Sequence, residues 1–325
     1  MSVAKGRSSG RSMFWQLFTV TVVLGGLLLL AGGFLLYGKQ GTATTVESVA
    51  TTTPIQAEIP NAFAGMHISG QAAIVVDLTT GQTLYAQNAD TQLPLASLTK
   101  LLTIYAASGM LSPSSIVTIS STSLAQDGES GFTEGETFAY KDIARLALVA
   151  SSNDAAEAIA EAAEAGRYSS DEELLANAAT AAGLSKTYAH NGTGLDVSTQ
   201  VSGGYGTARD VAKLAAGLLK KAPAIATATT ASSITVRSTA GVAHTLPNTN
   251  PDIALLPGVL MSKTGYTDLA GGNLVVIFDA GIDHPVAVVV LGSTREARFT
   301  DVERLMHATL AHFAGLTGLA GKPAA

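Results

Sequence analysis

Two hydrophobic patterns divide the chain. Between Arg11 and Lys39 no residue carries a charge, and residues 14–37 are apolar almost throughout. As a helix this run is about 36 Å long at ~1.5 Å per residue, enough to cross a hydrocarbon core of about 30 Å with some tilt. Lys5, Arg7 and Arg11 precede it, and Trp15 and Tyr37 stand near its ends. Positive-inside bias then predicts a cytoplasmic segment 1–13, a transmembrane anchor 14–37 and export of all that follows. A cleaved signal peptide is the alternative, but its apolar stretch is normally about 7–15 residues and ends at a small-residue cleavage site. Residues 38–60 are Thr-rich and show neither helical nor strand periodicity, which predicts a flexible linker.

Beyond residue 61 the pattern is that of a folded domain, expected over 61–318 with a short tail 319–325. Residues 72–78 and 83–88, joined by T-T-G-Q, predict a β-hairpin. A helix is expected from about 97 to 107, with Gly109 as a stop signal, and helical periodicity follows near 140–150, 154–165, 171–182 and 207–220. Ser170-x-x-Glu173 and Thr207-x-x-Asp210 read as helix starts. Strands return near 232–237, 259–264, 272–280 and 285–292, before a last helix over 299–315. Strands at both ends with helices between them predict an α+β domain. Its mostly antiparallel sheet would be flanked by helices and carry an inserted helical lobe, with a cleft between sheet and lobe.

Composition narrows the chemistry. Apolar residues make up 47% of the 325 and charged residues 14%, so a large core is expected rather than disorder. A net charge of -6 argues against nucleic acid as a partner. With no cysteine there is no thiol nucleophile, Cys-bound zinc or disulfide. No two of the six histidines have the i, i+4 spacing that would put both on one helix face, so neither metal nor cofactor is expected.

Three short motifs stand in order: S-L-T-K at 97–100, S-S-N at 151–153 and K-T-G at 263–265. Singly, each has a plain reading: a capping serine with a solvated lysine, a helix–helix turn, and a surface lysine before a tight turn. Jointly they make a site. Ser97 and Lys100 share one face of a helix. A serine hydroxyl is a weak nucleophile until a base takes its proton, and Lys100 can be that base only when neutral. Burial and a second cation, Lys263, both favour the neutral amine. Ser151 could relay a proton to the leaving amine, while Asn153 holds substrate or orients Lys100. Lys263 and Thr264 point a cation and a hydroxyl at whatever lies beside their strand, Gly265 lets backbone come close, and the N–H groups of Ser97 and Tyr266 could form an oxyanion hole.

This S-x-x-K, S-x-N, K-T-G set is that of class A β-lactamases and penicillin-binding proteins. With A-S-L-T-K-L-L-T at 96–103, S-S-N-D-A-A-E-A-I-A at 151–160, H-N-G-T-G-L-D at 190–196, Y-G-T-A-R-D-V-A-K-L-A at 205–215 and M-S-K-T-G-Y-T-D-L-A-G-G-N-L-V at 261–275, residues 60–315 resemble the low-molecular-mass penicillin-binding proteins, serine-type D-alanyl-D-alanine carboxypeptidases. The resemblance implies acylation of Ser97 by the peptidoglycan stem peptide with release of terminal D-alanine. It also implies β-lactams as covalent inhibitors, substrate contacts from Lys263 and Thr264, and an arginine before the last helix for the substrate carboxylate. Arg298 fits that place, with Arg295 the alternative. Two departures stand out. Ser152 replaces the Gly common in the middle of S-x-N, and the tether is expected at the N-terminus where several relatives have a C-terminal β-domain and amphipathic anchor. A cross-link endopeptidase would use the same residues. A β-lactamase would need a deacylating carboxylate, for which Glu173, with Asn177 four residues on, is the one pattern available, though a helix cap already explains it. A non-catalytic muropeptide-binding protein would be expected to lack Ser97 or Lys100.

Overall fold

The computed structural model describes residues 61–128 and 131–320. The expected anchor 14–37, the linker 38–60 and the end of the tail lie outside the described residues. Among the described residues no helix is long and apolar enough to cross a membrane.

Five strands make the main sheet: β1 (Ala72–Asp77), β2 (Thr83–Gln87), β3 (Val259–Thr267), β4 (Gly271–Asp279) and β5 (Pro285–Ser293), in the order β3-β4-β5-β1-β2 with every neighbour antiparallel. The central strands β4 and β5 are apolar residue after residue, because both faces of the sheet are covered. The C-terminal helix α6 (Ala297–Ala320) packs Val302, Leu305 and Met306 against Val276, Phe278, Val286 and Val288. On the opposite face Val275, Ile277, Ala287 and Val289 meet the helical lobe. The edge strand β2 is mostly exposed or half-buried and has the mixed sequence that position tolerates.

The lobe surrounds α1 (Thr99–Ala107), in which every residue but Tyr105 is buried. Around it lie α2 (Tyr140–Val149), α3 (Asn153–Glu164), α4 (Asp171–Ala181) and α5 (Ala208–Lys221). The expected α+β architecture holds, with every long element in place. Both proposed starts carry their cap: Ser170 Oγ accepts from Glu173 N and Thr207 Oγ1 from Asp210 N. Their acidic partners are used elsewhere, Glu173 by the backbone and hydroxyl of Ser169, and Asp210 by Lys186 N and Thr187 Oγ1.

The last helix, expected over 299–315, runs from Ala297 to Ala320, and three further boundary differences bear on the site. Residues Ala96–Leu98 form a 3-10 turn, so Ser97 sits just ahead of the α-helix. Strand β3 runs on to Thr267, which puts K-T-G inside the strand instead of at its end. Helix α3 starts at Asn153 with Ser152 as its cap, one residue earlier than the Asp154 start expected. The short pairs Ile116–Thr118 with Thr137–Ala139, and Ser233–Arg237 with Ala243–Pro247, were legible only in part, since strands this short carry little periodicity.

Candidate active site

The three motifs converge. Lys100 is fully buried, and its Nζ lies 2.9 Å from Ser97 Oγ, 2.6 Å from Asn153 Oδ1 and 2.8 Å from the Thr193 carbonyl. Burial lowers its pKa to about 7. The two acceptors decide the amine's orientation. A neutral amine has two N–H bonds, and neither an amide oxygen nor a backbone carbonyl can donate to it. With both N–H bonds so engaged, the lone pair is left facing Ser97 Oγ. Asn153 cannot turn its other end to the lysine, because its Nδ2 donates to the Asp127 carbonyl.

Lys263 Nζ donates to Ser151 Oγ at 2.8 Å and to the Thr264 carbonyl at 2.8 Å. It too is buried, and its pKa lies well below the ordinary lysine value, through desolvation first and then the charges of Lys100 and Arg298. Two buried amines in one site disfavour holding both charges at once. Thr264 Oγ1 is 2.6 Å from Thr249 Oγ1, which joins β3 to the segment after the Ala243–Pro247 strand. A cavity of about 330 Å³ opens here, lined by Ser151, Ser152, Asn153, Gly128 and residues 246–249.

The turn bearing Ser97 is under strain. Ala96 has φ of +49° and Ser151 +59°, two of four non-glycine residues in the left-handed region among those described. Such conformations persist where surrounding contacts over-determine them, and they cluster at functional sites. Gly265 permits one of those contacts. A Cβ there would stand 2.8 Å from the Leu95 carbonyl and 3.3 Å from Leu98 N, so only glycine lets β3 pass this close to the serine turn. Arg298, on the first turn of α6, donates from Nη1 to the Gly265 carbonyl at 2.6 Å. Its Nε is buried without a hydrogen-bond partner among the described residues. Burial and the neighbouring Arg295 lower its pKa. Arg295 instead lies 3.8 Å over the Tyr266 ring, at the partly exposed end of the motif strand.

Several contributors escape the motif reading. Thr193 supplies a carbonyl, which has no side-chain signature. Its loop is shaped by Asn191, whose Oδ1 accepts from Thr193 N, Thr193 Oγ1 and Gly194 N. The glycines of 190–196 were the available signal, since a Cβ on Gly194 would overlap the Ala96 carbonyl. Asp171, not Glu173, reaches this loop, accepting from Gly192 N at 2.8 Å. Asp127 also acts through its carbonyl, and nothing in the sequence marks it.

An α+β transpeptidase-like fold with a serine, a buried lysine beside it and a second lysine on the facing strand defines the penicillin-binding class of serine hydrolases. The chain belongs to the D-alanyl-D-alanine carboxypeptidase family, whose model matches residues 56–295. It is similar to the D-alanyl-D-alanine carboxypeptidase DacF of Bacillus subtilis, at 31% identity over 73% of this chain and 61% of that protein. A D-alanyl-D-alanine endopeptidase of Escherichia coli matches at 28% identity over 83% of this chain and 82% of its own length. Among solved structures, a penicillin-binding protein of Listeria monocytogenes in its ampicillin-bound form superposes with a TM-score of 0.62 at 27% identity, covering 75% of this chain and 98% of that one. The chain thus spans about three fifths of the Bacillus carboxypeptidase.

Proposed function

We propose that the protein is a serine-type D-alanyl-D-alanine carboxypeptidase that removes the terminal D-alanine of peptidoglycan stem peptides through an acyl-enzyme on Ser97. Neutral Lys100 takes the Ser97 proton as Oγ attacks the penultimate D-alanine carbonyl. The N–H groups of Ser97 and Tyr266 stabilise the oxyanion that forms. Collapse breaks the peptide C–N bond, and the leaving amine receives its proton through Ser151, with Lys263 behind it. Water then hydrolyses the ester and Ser97 recovers its proton. Lys263, Thr264 and Gly265 line the substrate strand. Arg298, whose Nη1 donates to the Gly265 carbonyl and whose buried Nε has no hydrogen-bond partner among the described residues, is the partner for the terminal carboxylate. A β-lactam would acylate Ser97 by the same attack, its ring opening in place of peptide cleavage. No cofactor enters the reaction.

The observation that carries this reading is the contact of Lys100 Nζ with Ser97 Oγ at 2.9 Å, with both other neighbours of that nitrogen being pure acceptors. Purified protein incubated with a D-Ala-D-Ala-terminated peptide is expected to release free D-alanine, and Ser97→Ala to abolish both that release and covalent labelling by a fluorescent penicillin. Undiminished labelling of Ser97→Ala would remove the nucleophile assignment. An endopeptidase cutting cross-links is the second reading, favoured by the match along 82% of the Escherichia coli endopeptidase. A cross-linked muropeptide in the same assay separates the two.

We also propose that residues 14–37 tether the catalytic domain to the outer face of the cytoplasmic membrane. The support is the length of the uncharged run and the basic residues before it. Deleting residues 1–37 is expected to move the protein from the membrane to the soluble fraction with penicillin labelling retained. Recovery of the deleted form in membranes would reject the tether.

A further inference from the structure

Asn273 lies in β4, fully buried, outside all three motifs. Its Nδ2 donates to the Pro94 carbonyl at 3.0 Å, and its Oδ1 accepts from Gly292 N at 2.8 Å. The second bond has a local cause. The β4–β5 register shifts between Gly272, opposite Ser293, and Leu274, opposite Val290, so β5 holds one extra residue there. Gly292, with φ of +65°, lies in this bulge. Its N–H takes the Asn273 side chain as acceptor. Bulges of this kind re-aim side chains next to active sites. Here the bulge leaves the other end of the carboxamide directed at the backbone three residues before Ser97.

Between Pro94 and Ser97 the chain passes through the left-handed Ala96. That turn is gripped at Leu95 N by the Gly204 carbonyl at 2.8 Å, and packed at Leu95 O by Gly265. Among the described residues, the side-chain hydrogen bond that reaches this turn from the main sheet is that of the Asn273 amide. We propose that Asn273 is a positioning residue for the reaction at Ser97. By fixing the Pro94 carbonyl to the sheet, it holds the Ser97 hydroxyl and N–H where Lys100 and β3 can use them. The inference rests on acylation at Ser97, as proposed above.

The test is Asn273→Leu, which keeps the side chain's volume but can neither donate to Pro94 nor accept from Gly292 N, with Asn273→Ser as the smaller polar variant. Rapid-mixing kinetics with a fluorescent penicillin separate the pre-covalent dissociation constant, the acylation rate constant and the hydrolysis rate of the acyl-enzyme. The expected result is at least a tenfold lower acylation rate constant and slower hydrolysis, with the dissociation constant within about twofold of wild type. A merely structural role would lower the melting temperature and the fraction of molecules labelled while leaving the rate constants of that fraction unchanged. That result in whichever variant folds overturns the proposal. Absence of labelling in the wild-type protein would instead overturn the acylation reading itself.

Discussion

Proton movement turns on Lys100, whose state is set by what surrounds it. Burial brings its pKa to about 7, far below a solvated lysine. A base acts in its neutral form, so acylation should rise as pH climbs through about 7, level off above it, and fall on the acid side. The measurement is the pH dependence of the second-order labelling rate, which reports the free enzyme. A flat profile from pH 6 to 9 would sink the base assignment. In Lys100→Arg the guanidinium stays protonated throughout, and the rate should drop by ~10²–10⁴, the usual worth of a general base. The sequence placed Ser97 and Lys100 one turn apart, which local geometry alone requires. It did not show Thr193, whose carbonyl orients the amine, because a backbone group is contributed by any residue type.

Among the elements, the start of α3 decides how Ser151 and Asn153 enter the site. Ser152 caps it, its Oγ accepting from Ala155 N at 3.1 Å. The serine in the middle of the motif is thus a helix cap, while the left-handed conformation falls on Ser151. Ser152→Ala should cost about 1 kcal/mol of stability and Ser152→Gly only a few tenths, both read by chemical denaturation. Labelling by penicillin should stay near wild type, since Ser151 and Asn153 are unchanged. A large loss of labelling without loss of stability would show that Ser152 does more than cap. Strand β3 makes the companion point. Its K-T-G lies inside the strand, so the backbone continues past Gly265 to Tyr266 and Thr267, and Thr267 Oγ1 donates to Asp196 Oδ1 at 3.0 Å. The strand is thereby joined to the loop that carries Thr193.

At the scale of the whole domain, chain segments distant in sequence are locked by few groups. Asp301 in α6 is completely buried. Its carboxylate accepts from Ser69 N at 2.9 Å, Gly70 N at 3.0 Å and Ser293 Oγ at 2.8 Å. It ties the entry of the domain and the end of β5 to the last helix, whose first turn holds Arg298. Asp301→Asn keeps the shape but loses the charge on these bonds. A loss of about 1.5–3 kcal/mol is expected, with the melting temperature falling by roughly 2–4 °C per kcal/mol. An unchanged melting temperature would mean that the carboxylate does not lock these segments.

The sequence by itself determined the long elements, their α+β order, the uncharged 14–37 run and the three motifs, because each is written in local spacing: a period of two for strands, 3.6 for helices, three residues from Ser97 to Lys100. Tertiary structure alone decided that Lys100 is fully buried, that the Thr193 carbonyl joins Asn153 as its second acceptor, and that Asn273 reaches the serine turn. It also decided that Asp171, rather than Glu173, touches the loop beside the lysine. Burial and long-range hydrogen bonds arise only when separate elements dock, and no periodicity along one segment records which distant carbonyl it will meet.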